Sequence, residues 1–356
     1  MKKIVLTGGG TAGHVTPHLA LIPELTRRGY EILYIGSHDG IEKELVEKAG
    51  IHYRSVSSGK FRRYFDWKNF TDPFRVLKGI GEAKKILKEE KPDVIFSKGG
   101  FVAVPVVTAA GRLKIPTAIH ESDMTPGLAN RLCFGPASRI LCSFPETLSH
   151  LPAEKGLVSG CPIRAELKEG TREAGLAFTG FSGAKPVLLA VGGSLGSVKL
   201  NECLRAVLPE LLQEFDVVHL CGKGHVETAL SQPGYVQYEY VSDEMKDLFA
   251  LADLVISRAG ANAICELLAL RKPNLLIPLS AVASRGDQLL NAASFEKQGY
   301  SMVMEEEAVT EEGLLSALRD LYRRRGEYAA AMAAGPQADP VAFICDLLDE
   351  LAAGGN

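Results

Sequence analysis

No stretch of this sequence reaches ~18 consecutive apolar residues, which excludes a membrane-spanning helix. Met1-Lys2-Lys3-Ile4-Val5-Leu6 begins like an export signal, but Thr7-Gly8-Gly9-Gly10 cuts the apolar run short. The segment is therefore expected to be a first buried strand rather than a leader. Cysteine is sparse: seven residues, at 133, 142, 161, 203, 221, 265 and 345, with no CxxC pair. That spacing supports neither a zinc knuckle nor a dithiol motif, and thiols scattered in apolar contexts fit a reducing cytoplasm. Net charge is only −3, which argues against a globally basic nucleic-acid binder. With 46% hydrophobic and 23% charged residues, the chain is not disordered, collagen-like or a small disulfide scaffold. Its 356 residues, at ~150 per domain, give about two domains.

What the chain does have is glycine, 36 residues, much of it in short turns after apolar runs. Ile4–Leu6, Glu31–Ile35, Val94–Phe96, Thr117–Ile119, Val187–Ala190, Val217–Leu220, Leu254–Ile256 and Leu275–Ile277 read as buried strands. Each is short, apolar on both faces and bounded by Gly, Pro or charge, as parallel strands covered by helices are. Helical patterns between them favour βαβ units and a doubly wound α/β fold.

The two halves repeat one another. Gly9-Gly10-Thr11-Ala12-Gly13 matches Gly192-Gly193-Ser194-Leu195-Gly196. Asp93–Gly100 matches Asp253–Gly260, and Pro116–Ile119 matches Pro273–Leu276, in the same order. Two Rossmann-like domains follow. The first pair lies 183 residues apart and the second 160, so the amino-terminal half holds 23 extra residues between its first two motifs. Ser57 to Ile80 is the expected insert; it contains the only Trp and shows no strand or helix period. Gly and Pro at Ser159-Gly160-Cys161-Pro162 mark the boundary, giving domains 1–160 and 161–340. Val341, Ile344, Cys345, Leu348 and Leu351 form a separate helical pattern in the tail.

The glycine turns carry the chemistry. Thr7–His14 follows a strand and opens a helix, where glycine admits a ligand to free N–H groups and a positive dipole end. Its glycines, at 8, 9, 10 and 13, do not have dinucleotide spacing, and a tight structural turn is the plain alternative. His14 stands where that helix begins, as a candidate general base or a merely exposed ring. Ser194 adds a hydroxyl donor to the second turn, which suits a diphosphate. In Ser257–Glu266, Glu266 lies about two turns along a helix and is placed to accept two ribose hydroxyls, or is simply solvated. Gln288 suits sugar hydroxyls, with Asp287 as the alternative helix cap.

His120-Glu121-Ser122-Asp123 closes another strand. Asp123 is there either a second candidate base or a cap for the following helix. His14 and His18 form HxxxH across Pro17 with no acidic residue between, so no metal site is expected. Residues 60–91 hold ten Lys/Arg against five Asp/Glu. Lys60, Phe61, Arg62, Arg63, Phe65 and Trp67 interleave charge with rings, which suits an anionic lipid surface, the alternative being a solvated basic helix.

Together, Gly8–His14, Gly99-Gly100-Phe101, His120-Glu121, Gly160–Arg164, Gly192–Gly196, Ser257–Glu266 and Asp287–Ala292 closely resemble the MurG family of bacterial glycosyltransferases, over about 290 residues in family order. The resemblance implies the GT-B fold, two Rossmann-like domains with the donor in their cleft and a final helix, 341–356, returning to the first. It implies transfer of GlcNAc from UDP-GlcNAc to undecaprenyl-diphospho-MurNAc-pentapeptide at the cytoplasmic face of the cell membrane, by inversion and without a cofactor. By motif position Arg164, Ser194, Ala261, Asn262, Ala263, Ile264, Cys265, Glu266 and Gln288 would hold the donor. Thr11, Ala12, Gly13 and Asp123 would lie near its sugar and phosphates. The chain departs from the family pattern at Ala12, Lys98, Ser122, Asp123 and Asp287. A diacylglycerol glycosyltransferase and a non-catalytic sugar-nucleotide binder are the alternatives. The imidazole pKa near 6.5 favours His14 over Asp123 as base.

Overall fold

The computed structural model describes residues 2–59, 68–193, 196–280, 286–335 and 339–354. The described chain divides into two compact units, 1–164 with 338–356, and 165–337.

The first unit begins β1 (Lys2–Gly8), α1 (Thr16–Arg27), β2 (Tyr30–Gly36), α2 (Ile41–Lys48) and β3 (His52–Ser55). It continues α3 (Lys68–Glu90), β4 (Val94–Gly99), α4 (Ala103–Leu113), β5 (Thr117–Glu121), α5 (Leu128–Cys133), β6 (Arg139–Cys142) and β7 (Gly156–Val158). All seven strands are parallel, in the order β3-β2-β1-β4-β5-β6-β7. The second unit contains α6 (Arg172–Thr179), β8 (Val187–Val191), α7 (Val198–Ala206), α8 (Leu208–Glu214), β9 (Asp216–Leu220) and β10 (Tyr235–Tyr238). Then come α9 (Met245–Leu251), β11 (Leu254–Ser257), α10 (Ala261–Ala269), β12 (Asn274–Leu276), α11 (Asp287–Lys297), β13 (Met302–Val303) and α12 (Glu311–Ala334). Its sheet is parallel too, ordered β10-β9-β8-β11-β12-β13. Both orders are the doubly wound 3-2-1-4-5-6 arrangement, in which ligands sit beyond the carboxyl ends of the strands where the order reverses.

The central strands are the apolar runs of the sequence: Ile4, Val5, Leu6, Val94, Ile95 and Phe96 are fully buried, as are Val187–Ala190 and Leu254–Ile256. Five strands lie outside the runs read from the sequence, and one of them, β6, carries its own fully buried run, Ile140, Leu141 and Cys142. The other four, β3, β7, β10 and β13, are sheet edges, where half-exposed residues such as His52-Tyr53-Arg54-Ser55 replace apolar ones. The last helix, α13 (Pro340–Gly354), belongs to the first unit. Its Ile344, Cys345 and Leu348 are fully buried in the cluster that holds Ile4, Leu6, Leu21 and Leu25 of β1 and α1.

The insert needs a correction. Segment 57–80 shows no helical period, yet α3 begins at Lys68. Its buried face is built from Ile80, Ala83, Ile86 and Leu87. On the opposite side Phe74 and Leu77 are 74% and 61% exposed. Apolar residues on both faces erase the amphipathic signal from which a helix is read. The docking candidates Lys60, Phe61, Arg62, Arg63, Phe65 and Trp67 lie outside the described residues. Among the described residues no helix is long and apolar enough to cross a membrane.

Candidate active site

The first glycine loop is held from below by a residue the sequence reading overlooked. Glu42, in the first turn of α2, is fully buried. Its carboxylate accepts hydrogen bonds from the backbone N–H of Gly10 (3.1 Å) and Ser37 (3.0 Å) and from the Ser37 hydroxyl. Burial pushes its pKa up, but these donors outweigh burial and hold it below the usual carboxylate value. A Cβ on Gly9 would lie 2.5 Å from that carboxylate. From the other side Gly100, at φ +81°, approaches so closely that a Cβ there would lie 2.2 Å from the Gly9 carbonyl oxygen. Only glycine fits either position. A carboxylate after the second strand is where dinucleotide folds keep their ribose acid; here it is turned inward.

Thr11 and Gly13 are exposed on this loop. Ala12–His14 forms a single 3-10 turn before α1, so His14 precedes the helix proper. His14 is half-buried, with Nδ1 3.1 Å from the Thr11 hydroxyl. His18, the other half of HxxxH, is fully buried instead. Tyr34 donates its hydroxyl proton to the Gly8 carbonyl (2.9 Å), so His18 Nδ1 carries the proton shared with Tyr34 Oη (3.1 Å). Burial first, and the Lys98 charge second, keep its ring neutral by lowering its pKa well below 6.5.

At the end of β5 most of the ionisable groups hold the chain together. His120 and Glu121 are buried and committed to structure. Glu121 accepts from the backbone N–H of Asp123 (3.1 Å) and Gly127 (3.0 Å) and from Asn130 Nδ2 (2.9 Å). Helix α5 starts at Leu128 with Gly127 at its cap, so Asp123 is not the helix cap that was its alternative reading. Asp123 is half-buried at the strand's carboxyl end.

In the second unit, Ser194 and Leu195 lie outside the described residues, between Gly193 (φ +88°) and Gly196 (φ +76°). Helix α7 is capped by Ser197, whose Oγ accepts from the Leu200 N–H (3.3 Å). The same hydroxyl contacts Arg258, a buried residue that the sequence reading missed. Arg258 also donates to the Ile277 carbonyl (2.9 Å) and pairs with Glu306, tying β11 and β12 to the start of α7. On α10, Ala261 and Ile264 point into the core, while Asn262, Ala263, Cys265 and Glu266 are half-buried. Asn262 and Glu266 stand one turn apart on one face; Ala261 and Ile264 have only backbone to offer a ligand. Gln288 Oε1 accepts from the Leu279 N–H (3.1 Å), which aims its amide N–H groups elsewhere. Gly286, not Asp287, caps α11; Asp287 is its first residue and is buried.

Arg164 needs a second correction. The sequence groups it with Ser194, Glu266 and Gln288 in one domain, but it is the last residue of the first unit's leading segment. The reason is local packing: Cys161 is buried, and Gly160 accepts a hydrogen bond from His120 (2.9 Å) and abuts Pro340 of α13.

Two all-parallel doubly wound sheets, each with a glycine loop between its first strand and the helix after it, define a protein of two nucleotide-binding-type α/β domains. Residues 4–142 match the glycosyltransferase family 28 N-terminal domain, and residues 187–346 match its C-terminal domain. The chain belongs to glycosyltransferase family 28, and within it to the MurG family. It is 61% identical to the UDP-N-acetylglucosamine–N-acetylmuramyl-(pentapeptide) pyrophosphoryl-undecaprenol N-acetylglucosamine transferase of Lachnoclostridium phytofermentans, over 99% of each chain. It is 58% identical to the transferase of the same description from Lachnospira eligens, over 98% of this chain and 99% of that one. Among solved structures it is similar to the crystal structure of Acinetobacter baumannii MurG, with a TM-score of 0.77 and 26% identity over 98% of this chain and 100% of the other.

Proposed function

We propose that the chain transfers GlcNAc from UDP-GlcNAc to the 4-hydroxyl of MurNAc in undecaprenyl-diphospho-MurNAc-pentapeptide. The new bond is β-1,4 and the anomeric carbon inverts; the product is the lipid-linked disaccharide of peptidoglycan synthesis. The observation that carries this reading is 61% identity, along 99% of each chain, to a transferase whose name states that donor and acceptor.

In this reading the second unit holds most of the donor, and the first supplies Arg164, His14 and Asp123. Glu266 accepts the ribose hydroxyls, and Gln288, Asn262 and Ser194 hold the remainder of the donor. The glycine turn before α7 and Arg164 neutralise the leaving UDP, because helix N-terminal N–H groups and a guanidinium can do what a divalent ion does elsewhere. His14 removes the proton of the attacking hydroxyl; an imidazole titrates in the neutral range, whereas a carboxylate is a weaker base unless desolvated. Asp123 contacts the GlcNAc hydroxyls. The basic-aromatic insert docks on the anionic cytoplasmic face of the cell membrane, where the lipid acceptor resides. The exposed Phe74 and Leu77, beside exposed Arg75 and Lys78, support that surface.

The test is incubation of the purified chain with labelled UDP-GlcNAc and either the muramyl lipid or diacylglycerol, with and without a chelator of divalent ions. Label is expected on the muramyl lipid alone, chelator or not. Label on diacylglycerol, or none on either lipid, would overturn the assignment.

A further inference from the structure

Lys98 lies one residue before the end of β4 and is 1% exposed. Lysine is almost never fully buried without partners, because removing an ammonium from water costs several kcal/mol. Its partners show what it is for. Nζ lies 2.7 Å from His120 Nδ1 and 2.7 Å from Ser122 Oγ. The His120 ring is oriented at its other end, where Nε2 lies 2.9 Å from the Gly160 carbonyl oxygen. A carbonyl only accepts, so Nε2 carries the proton and Nδ1 presents its lone pair to Lys98. The ammonium therefore selects one neutral tautomer of His120. Burial, with the Lys98 charge acting in the same direction, keeps that ring from taking a second proton.

The network links distant pieces of the first unit. It runs from the end of β4, through the end of β5, to Gly160, whose φ is +71°. A Cβ on Gly160 would lie 3.1 Å from Pro340, the first residue of α13. The segment that leaves this unit and the helix that re-enters it thus meet at the carbonyl His120 holds. On the other side, Ser122 opens the loop that contains Asp123. Glu121 clamps that loop by its backbone N–H groups, and Lys98 clamps it by a side chain.

We propose that Lys98 is a positioning residue of the transfer reaction, acting through Ser122 and His120 to fix the loop that presents Asp123. This rests on the reading in which Asp123 contacts the GlcNAc being transferred. The ammonium touches neither substrate in this role; it removes slack from a group that must be placed to a fraction of an ångström, and a misplacement of about 1 Å can cost on the order of 10²-fold in rate.

The experiment compares Lys98→Met, Ser122→Ala and the double variant with the parent, in kcat, in KM for UDP-GlcNAc and in melting temperature. Histidine ring ¹⁵N shifts are recorded on the same samples. Lys98→Met is expected to lower kcat by about 10–100-fold with donor KM within about twofold. The double variant should lose little more than Lys98→Met alone, because both substitutions cut one link. In the parent, His120 should show a protonated Nε2 and a hydrogen-bonded Nδ1 lone pair; in Lys98→Met that lone-pair signal should shift. If Lys98→Met does not fold, Ser122→Ala must still lower kcat at constant donor KM. A kcat kept within about twofold in the folded variants, fully additive losses, or unchanged His120 shifts would overturn the proposal. The ring spectra require no turnover, so they report on Lys98 even if the parent glycosylates neither lipid.

Discussion

The two units share one strand order and one placement of glycine turns, yet they differ between their third and fourth strands. In the first, 38 residues separate β3 from β4; in the second, 15 separate β10 from β11. The difference is 23, the same surplus that the motif offsets give from sequence. Helix α3, at 23 residues, stands where α9 has seven. A second difference lies beneath the glycine turns. His18 and Asn201 are 183 positions apart, as the turns themselves are, and each is buried. In the first unit the histidine bonds Tyr34; in the second, Asn201 accepts from His219 Nε2 (2.9 Å), whose Nδ1 meets Tyr235 (2.9 Å). Duplicated folds keep the sheet and diverge where a loop can lengthen or a buried polar group can change partners, because neither alters the strand pairing that sets the fold.

Breaking this comparison at its chemical centre should have the largest effect. At saturating substrates, His14→Ala should lower kcat by ~10²–10⁴ with UDP affinity retained. Asp123→Asn should lower it less. If the two losses are reversed, the roles of His14 and Asp123 are exchanged. The second unit answers to a different measurement. Glu266→Ala leaves two ribose hydroxyls poorly paired, at about 1–3 kcal/mol, so UDP-GlcNAc should bind roughly 5–150-fold more weakly by calorimetry. Acceptor KM should hardly move, and equal losses for both substrates would mean the units do not divide the work.

The insert can be broken independently. Phe61, Phe65 and Trp67 changed together to Ser should release the protein from anionic vesicles in a sedimentation assay while UDP binding persists. Salt should weaken the parent's binding, since charges are screened beyond about 10 Å at 0.1 M. A variant that sediments as the parent does would place the docking surface elsewhere.

The smallest expected effect sharpens the buried comparison. The folded His18 ring stays neutral, because burial lowers its pKa well below 6.5. The unfolded ring takes up a proton as pH falls below about 6.5, so the unfolded state is favoured on the acid side. His18→Asn, which copies Asn201, should make the fall in unfolding free energy, from urea titrations between pH 7.5 and 5, shallower by up to about 1.4 kcal/mol per pH unit. His219, held down to about 3 by burial and by Arg205, contributes a loss of the same sign in the second unit. An unchanged slope in His18→Asn would mean that residue 18 is not a proton-linked site.

Much of the fold was legible because its signals are local. Four-residue apolar runs, glycine turns after them and their repetition in order yielded the central strands, the doubled architecture and the place of the insert. The edge strands escaped because half-exposed residues carry no apolar run. The amino-terminal part of helix α3 escaped because Phe74 and Leu77 face outward, against the helical pattern.

The site divides in the same way. Residue type and position after a strand made His14, Glu266 and Gln288 candidates, since the carboxyl ends of parallel strands are set by the fold itself. Glu42, Lys98 and Arg258 were decided only by tertiary structure. Their partners lie 32, 22 and 61 residues away, at Gly10, His120 and Ser197. Periodicity reports which way a side chain points along its own element; it carries no information on which buried donor or acceptor waits across the sheet. The sequence by itself thus determined two parallel sheets with glycine-lined strand ends and their family. The packing of those sheets determined which charges are spent on holding the loops.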